Sequence, residues 1–243
     1  MNFKERGKIM KKKKGILISA ILFLFILSSC GKKGLEPEKV GPLFVDHFIY
    51  QKDSKDFKEN FVEGDFLSKQ LTLMTATFED TFSDVFDSVV TNLTEEEKQK
   101  LSEDLMKQVR TKSEYHTTVK EIDKKTIEVT YQIKGFDYSD LVEKTLESVF
   151  KELMKETNYS ENEAKQGLLA AFEEALENSH SVQEEVEVSL LFTKNKKQWE
   201  LAENQDDKLE NILLAFISGA HDKESYTNEM NEMLERAIKK ASE

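Results

Sequence analysis

Hydrophobic residues recur along most of this chain in steps of three and four positions. Such steps are typical of amphipathic helices that turn one face toward a core. Two capping boxes, Thr94 with Glu97 and Ser160 with Glu163, mark the first turns of two of these helices. The pattern predicts helices over residues 40–48, 54–61, 66–90, 95–109, 138–157, 161–175, 206–217 and 223–241.

The period of the hydrophobic pattern changes to two over residues 115–133 and again over 182–201. Each of these segments contains a polar turn and therefore predicts an antiparallel hairpin with one buried face. Residues on the predicted buried face include Ile127, Val129, Tyr131, Ile133, Val186, Val188, Leu190, Trp199 and Leu201. The sequence thus predicts an α+β fold: a four-stranded antiparallel sheet made of two hairpins, packed on helices, with a helical insertion between the hairpins.

One apolar run near the start of the chain does not follow the amphipathic pattern. It reads ILFLFILSSC over residues 21–30 and follows a block of four lysines at residues 11–14. Its apolar core, residues 16–27, fits the hydrophobic region of a secretory signal. That core is shorter than the roughly 20 apolar residues that a membrane-spanning helix needs.

The end of this run, Leu27, Ser28, Ser29 and Cys30, resembles the lipobox of bacterial lipoproteins. The resemblance implies signal cleavage between Ser29 and Cys30, a diacylglyceryl thioether on Cys30 with further fatty acylation such as palmitate, and anchoring at the extracytoplasmic face of the cell membrane. Two acyl chains give the stable anchoring that one chain does not. The alternatives are an ordinary secretory signal or an uncleaved anchor, and the cleaved fragment is also a candidate signalling peptide.

These features divide the chain into four predicted segments. They are a lipoprotein signal peptide at 1–29, the lipidated cysteine and a tether at 30–39, an α+β domain at 40–220, and a polar C-terminal helix at 221–243. Since Cys30 is the only cysteine, no thiol is left for a disulfide, a metal site or catalysis.

Charge limits the classes of partner. The chain carries 35 basic and 47 acidic residues, and removal of residues 1–29 leaves 28 and 46, a net charge of −18. A surface this acidic repels nucleic-acid phosphates, so no nucleic-acid partner is expected. It is compatible with cations or basic peptides, although a surface that is simply soluble also explains it.

Few residues carry candidate chemistry. The four histidines form no His-x-x-x-His pair, so no metal and no cofactor is expected apart from the covalent lipid on Cys30. His47 lies on an apolar helix face, and Tyr131 and Trp199 are on the buried face of the sheet; all three are candidates to line a pocket or, alternatively, to pack in the core. Glu184, at a predicted strand end, is the one carboxylate near that face, which argues against catalysis.

The mature chain also resembles a family of Gram-positive lipoproteins known as a domain of unknown function. The segments that carry this resemblance are GPLFVDHFIYQKD, KTIEVTYQIKGFD and KKQWELAENQDDKLENILLAF. The order of elements is similar to the cone-shaped fold of ketosteroid-isomerase-like domains with a helical insertion, an analogy that carries no activity.

The expected function is a membrane-anchored, non-enzymatic binding or interaction module for a peptide, a hydrophobic ligand or another envelope protein. Two alternatives stay open. One is a small-molecule enzyme that uses His47 in a cone-like pocket. The other is a helical scaffold or oligomer protein built on residues 66–90 and 141–175.

Overall fold

The computed structural model describes residues 34–87, 89–90, 92–155 and 160–242. The predicted signal peptide, the cleavage site at Ser29 and the lipidation site at Cys30 lie outside the described residues. Leu35–Glu243 forms a compact unit with its own hydrophobic core, which is the property that lets a domain fold alone. Within the described ranges, none of the helices combines the length and the apolar character needed to cross a bilayer.

The described residues form helices before, between and after the strands. The helices are α1 Pro37–Phe48, α2 Ser54–Asn60, α3 Gly64–Phe82, α4 Asp84–Asp87, α5 Glu95–Lys112, α6 Tyr138–Lys155, α7 Glu161–Glu177, α8 Asp206–Ser218 and α9 Lys223–Ala241. The strands are β1 Glu114–Glu121, β2 Thr126–Lys134, β3 Val186–Asn195 and β4 Gln198–Leu201. Both predicted capping boxes are present, at the starts of α5 and α7.

The four strands form one antiparallel sheet in the order β1-β2-β3-β4. Alternate residues of β2 are fully buried, and those between them are half-buried, as the period of two predicts. Helices α1 and α8 pack against the strands, and α1 approaches β2 closely at Gly41, whose carbonyl accepts a 3.3 Å hydrogen bond from the Tyr131 hydroxyl. The predicted α+β fold, with α6 and α7 inserted between two hairpins, is confirmed.

The start of α1 differs from the sequence prediction. The helix begins at Pro37, inside the segment predicted as a tether, and Pro42 lies inside the helix and not in its first turn. Proline is well suited to the first helical position, because its fixed φ is helical and its missing N–H has no partner to lose there. The non-helical chain before α1 therefore ends earlier than residue 39.

The helix predicted over residues 66–90 is two helices, α3 and α4. At Ser83 the helix tightens: the Phe86 N–H donates to the Ser83 carbonyl, three residues back, over 3.0 Å. The Phe86 ring is fully buried and meets Phe82 edge to face with centroids 5.7 Å apart. The break between α3 and α4 therefore lies beside buried core residues, where tertiary packing overrides the local preference for one continuous helix.

Strand β3 begins later than predicted. The Val182 N–H donates to the Gly135 carbonyl over 2.9 Å, which ties the incoming chain to the end of β2. An exposed bend follows, and the strand starts at Val186. Glu184 is therefore an exposed bend residue and not a carboxylate at the end of a strand on the buried face.

Helix α9 was predicted as a polar segment apart from the domain, but it packs on α6 within the same compact unit. Met233, Ala237 and Ala241 are its buried residues. A buried carboxylate holds the two helices together: Glu143 Oε2 accepts from Arg236 Nε over 2.7 Å, and Glu143 Oε1 accepts from Lys240 Nζ. Three buried residues of one face and one ionic cluster thus help to dock α9 on α6.

Candidate functional site

A groove of about 800 Å³ runs between α3 on one side and α8 and the first half of α9 on the other. Its volume falls within the range of about 300–1,000 Å³ that is typical of ligand sites. Its apolar lining residues are Leu67, Leu71, Leu73, Met74, Phe78, Phe82, Val85, Tyr138, Leu201, Leu209, Leu213, Leu214, Tyr226 and Met230. Most of its wall is therefore hydrocarbon, although the groove opens to solvent.

Helix α3 supplies the longest wall. Leu71 and Phe82 are buried in its floor, while Leu73, 67% exposed, stands on its rim. Two threonines share that rim, and each hydroxyl donates to the carbonyl four residues earlier: Thr77 to Leu73 over 2.8 Å and Thr81 to Thr77 over 3.0 Å. Because these hydroxyls are already bonded within the helix, the threonines offer mainly methyl groups to a ligand.

The opposite rim is charged. Asp206 and Asp207 occupy the first turn of α8, where carboxylates are favoured by the helix dipole. Glu210, one turn later, lies 3.5 Å from the ammonium of Lys223 at the start of α9. This rim thus presents three carboxylates and one ammonium group to the groove.

Aromatic rings close the inner end of the groove. Tyr138 is fully buried, with its ring centroid 6.0 Å from Phe82 and 6.2 Å from both Phe78 and Tyr226. Burial raises the pKa of the Tyr138 hydroxyl well above its ordinary value, since the phenolate is not solvated there. The ring therefore serves as a neutral, rigid floor.

The three residues singled out from the sequence as pocket candidates do not line this groove. Tyr131 and Trp199 are buried in the core of the sheet, and His47 is 8% exposed in α1. The His47 ring stacks on Phe57 with centroids 4.0 Å apart, and Nε2 hydrogen-bonds to the Ser68 hydroxyl over 2.9 Å. Burial lowers the pKa of His47, because desolvation disfavours the imidazolium form.

Sequence reasoning missed the groove, although one signal for it was present. The buried stripe of α3 accounts for Leu67, Leu71, Met74 and Phe78, but Leu73 falls outside that stripe. An exposed leucine on an amphipathic helix has no packing role within the domain. Its position beside a cleft becomes visible only when α8 and α9 are in place.

A second, polar cleft of about 500 Å³ lies between α3 and α5 and is lined mostly by charged or amide side chains. Its Glu79 has a raised pKa, because burial of the carboxylate outweighs the attraction of Arg110. In the part of the chain that the structure describes, no three His, Cys, Asp or Glu side chains are arranged to hold a metal ion. The apolar groove is therefore the stronger candidate site.

The position of α9, and with it one wall of the groove, depends on Glu143. Its side chain is 9% exposed, and although burial opposes ionisation, hydrogen bonds from Lys240 and Arg236 lower the pKa of its carboxyl below the ordinary 4.5. We expect Glu143→Gln to destabilise the domain at pH 7 by about 1–3 kcal/mol, since it removes the negative charge between two cations and replaces one of the two acceptor oxygens by an NH2 donor.

The sign of the pH dependence follows from the lowered pKa. The stabilisation is fully present above about pH 4.5 and is lost as the pH falls through the lower folded-state pKa, so the free energies of unfolding of the variant and the native protein should approach each other as the pH falls below 4.5. Urea unfolding at pH 7 and pH 3 measures this. Glu147→Gln, on the same helix but in a half-exposed pair with a single partner, Lys151, is the control and should cost less than about 1 kcal/mol at pH 7. An equal loss for Glu143→Gln at both pH values contradicts the prediction.

Comparison with known proteins adds a family and a fold. A family model described as "Domain of unknown function (DUF5105)" matches residues 27–217, a range that contains the whole sheet and ends before α9. Among curated proteins, none matches the chain significantly. The crystal structure of ycdA from Bacillus subtilis, described as a candidate lipoprotein, matches with a TM-score of 0.52 and 19% sequence identity. The match covers 73% of this chain and 54% of that one, so the chain spans about half the length of ycdA.

Proposed function

The chain belongs to the DUF5105 family of domains of unknown function, and from this premise we propose that it is a lipid-anchored, extracytoplasmic binding protein. In this proposal Cys30 carries the lipid, and the α+β domain binds an apolar ligand in the groove between α3, α8 and α9. The domain acts as a binding module and not as an enzyme. The observation that carries the proposal is the groove itself.

The anchor is supported by two independent features. The basic block, the apolar core and the Leu-Ser-Ser-Cys end follow one another in the order that a lipoprotein signal requires. A protein of the same fold, ycdA of Bacillus subtilis, is described as a candidate lipoprotein.

A binding role is supported by the chemistry of the groove. Monomeric proteins rarely expose large contiguous apolar surfaces without a use for them. The lining residues include neither histidine nor cysteine, and the one buried histidine, His47, is engaged with Phe57 and Ser68 away from the groove. The cone-fold analogy stays a prediction and carries no part of the proposal.

A dye titration with a matched pair of variants tests the groove. The domain, residues 35–243, should enhance the fluorescence of Nile red, an apolar dye, with one saturable site. We expect Thr77→Glu, which puts a carboxylate on the groove rim, to weaken dye binding at least about tenfold, a change of about 1.4 kcal/mol. Thr72→Glu is the control, because Thr72 is exposed on the same helix and makes the same kind of bond, to the Ser68 carbonyl over 2.9 Å, but does not line the groove.

Two results oppose the binding role. One is the absence of saturable dye binding by the native domain. The other is equal binding by the Thr77→Glu and Thr72→Glu variants, which places the dye elsewhere on the surface.

The anchor has its own test. In a bacterial host that processes lipoproteins, the native chain should incorporate an alkyne-tagged fatty acid, and Cys30→Ala should abolish that incorporation completely and leave a larger, unprocessed chain. The thioether requires the Cys30 sulfur, so no other residue substitutes for it. Ser28→Ala, which keeps a small residue at the same site, is the control and should retain the label. Fatty-acid labelling of the Cys30→Ala chain is the result that removes the lipid anchor from the proposal.

A further inference from the structure

Resting on the proposed binding role, we propose that the natural occupant of the groove is an amphipathic α-helix of a peptide or partner protein, with apolar residues on one face and basic residues beside them. The groove length, its open side and the charge of its rim each favour this class of ligand.

The length of the groove suits a helix. Its α3 wall extends from Leu67 to Phe82, which at 1.5 Å per residue is about 22 Å, or four helical turns. Along that wall, Leu73, Thr77 and Thr81 recur at steps of four on the rim. A helix laid alongside presents anchors at the matching i, i+3, i+4 and i+7 spacing, which is the helix-in-groove mode of recognition.

The open side of the groove argues against a single acyl chain. The rim residue Leu73 is 67% exposed, and Phe66, seven residues earlier on the same side of α3 and just outside the groove lining, is 58% exposed. A thin hydrocarbon chain in such an open groove leaves both its own surface and these side chains in water. A helix about 10 Å wide covers the floor and the exposed rim together. The polar face of the bound helix is then in contact with water, and the apolar surface of the groove is covered.

The charge on the opposite rim selects basic residues. Asp206, Asp207 and Glu210 face one cation, Lys223, so this rim has a local charge of −2. A lysine or arginine flanking the apolar face of a bound helix meets these carboxylates, while a fatty-acid carboxylate or an acidic peptide meets repulsion. The acidic first turn of α8 is by itself an ordinary helix start; its place on the rim of an apolar groove makes it a determinant of specificity.

The test uses an 18-residue Leu/Lys peptide of helical periodicity, labelled with fluorescein, and a scrambled peptide of the same composition. Fluorescence anisotropy with the domain, residues 35–243, should give saturable binding of the periodic peptide and at least about tenfold weaker binding of the scrambled one. Leu73→Asp should weaken binding of the periodic peptide at least about tenfold, whereas Met154→Asp should not change it, since Met154 is a 58% exposed apolar residue on α6, outside the groove.

A second pair of variants distinguishes the effect of the rim carboxylates on peptide affinity from the effect of the net charge of the domain. Asp206→Asn with Asp207→Asn should weaken binding about three- to tenfold and reduce its salt dependence, because two attractive carboxylates at the site are lost. Glu95→Gln with Glu96→Gln removes the same charge from the first turn of α5 and should leave the affinity unchanged. Leu73, Asp206 and Asp207 are exposed, so we expect these variants to keep the native fold. Circular dichroism melting of each variant measures this.

The outcomes are distinguishable. Equal binding by all variants, or equal binding of both peptides, means attraction to a generally acidic surface and overturns the inference. Saturable Nile red binding at the groove without peptide binding also overturns it and leaves the proposed function standing with a smaller apolar ligand. Absence of both kinds of binding defeats the inference and the proposed function together.

Discussion

Replacing Gly135 by alanine is expected to destabilise the domain by at least about 3 kcal/mol, which for a domain of this size lowers the Tm by roughly 6–12 °C. Gly135 lies between the end of β2 and the start of α6, where the chain passes directly over α8. A Cβ added there lies 2.0 Å from the Ala215 carbonyl oxygen and 2.7 Å from the Gly219 nitrogen. Both are backbone atoms, so no side-chain rotation relieves the overlap.

The contact has further consequences for the sheet. The neighbouring Phe136 N–H donates to the Phe216 carbonyl over 2.9 Å, and the Gly135 carbonyl accepts from Val182. Movement of α8 away from residues 135 and 136 therefore breaks the Phe136–Phe216 hydrogen bond as well as packing, and it shifts the wall of the groove. Thermal melting by circular dichroism measures the effect.

Gly167→Ala is the matched control for Gly135→Ala. Gly167 lies in the interior of α7, where alanine is favoured over glycine by up to about 1 kcal/mol, so this variant should melt at or slightly above the native Tm. A Gly135→Ala domain that melts within about 2 °C of the native protein is incompatible with the close approach of β2 and α8.

Trp199→Ala is expected to cost about 3–5 kcal/mol, the usual loss for removing a buried tryptophan. The side chain is 2% exposed, and its indole N–H donates to the Leu35 carbonyl over 2.9 Å. Its own carbonyl accepts from the Val62 N–H over 2.8 Å, and the Lys194 ammonium lies 5.3 Å from the ring centroid. The residue thus joins the short edge strand β4 to the start of the domain and to the segment before α3.

Trp199→Phe separates packing from hydrogen bonding. Phenylalanine retains most of the buried area but leaves the Leu35 carbonyl without its donor, so the loss should be smaller, about 1–2 kcal/mol. Urea unfolding followed by far-UV circular dichroism is the measurement, because Trp199 is the only tryptophan and its fluorescence is lost in both variants. Equal losses for alanine and phenylalanine contradict a dominant packing role.

The prediction that Trp199, Tyr131 and His47 are pocket candidates shows where sequence reasoning stops. The alternation of β2 and β4 correctly identified Tyr131 and Trp199 as inward-facing, and the helical spacing of α1 placed His47 on its apolar face. An inward-facing side chain is buried only where neighbouring helices or loops pack over it. Here Gly41, Phe57 and Leu35 close over them, so the side chains fill the core and do not line the groove between α3, α8 and α9.

The expectation of a family of unknown function is confirmed by the family match. The lipid anchor on Cys30, the absence of catalysis and the identity of the partner stay predictions, and the anchor and the partner each have a test above. The alternative of a helical scaffold or oligomer protein built on residues 66–90 and 141–175 also stays a prediction.

The sequence by itself determined the α+β class, the two hairpins and the helix starts at Thr94 and Ser160, because these depend on local periodicity and on capping residues three positions apart. It also supplied the apolar run and the single cysteine on which the proposed anchor rests. Only the tertiary structure decided the groove. Its walls come from residues as far apart in the sequence as Leu67 and Met230. A local sequence pattern does not show which helix faces lie opposite each other in the fold, or that they leave a groove between them.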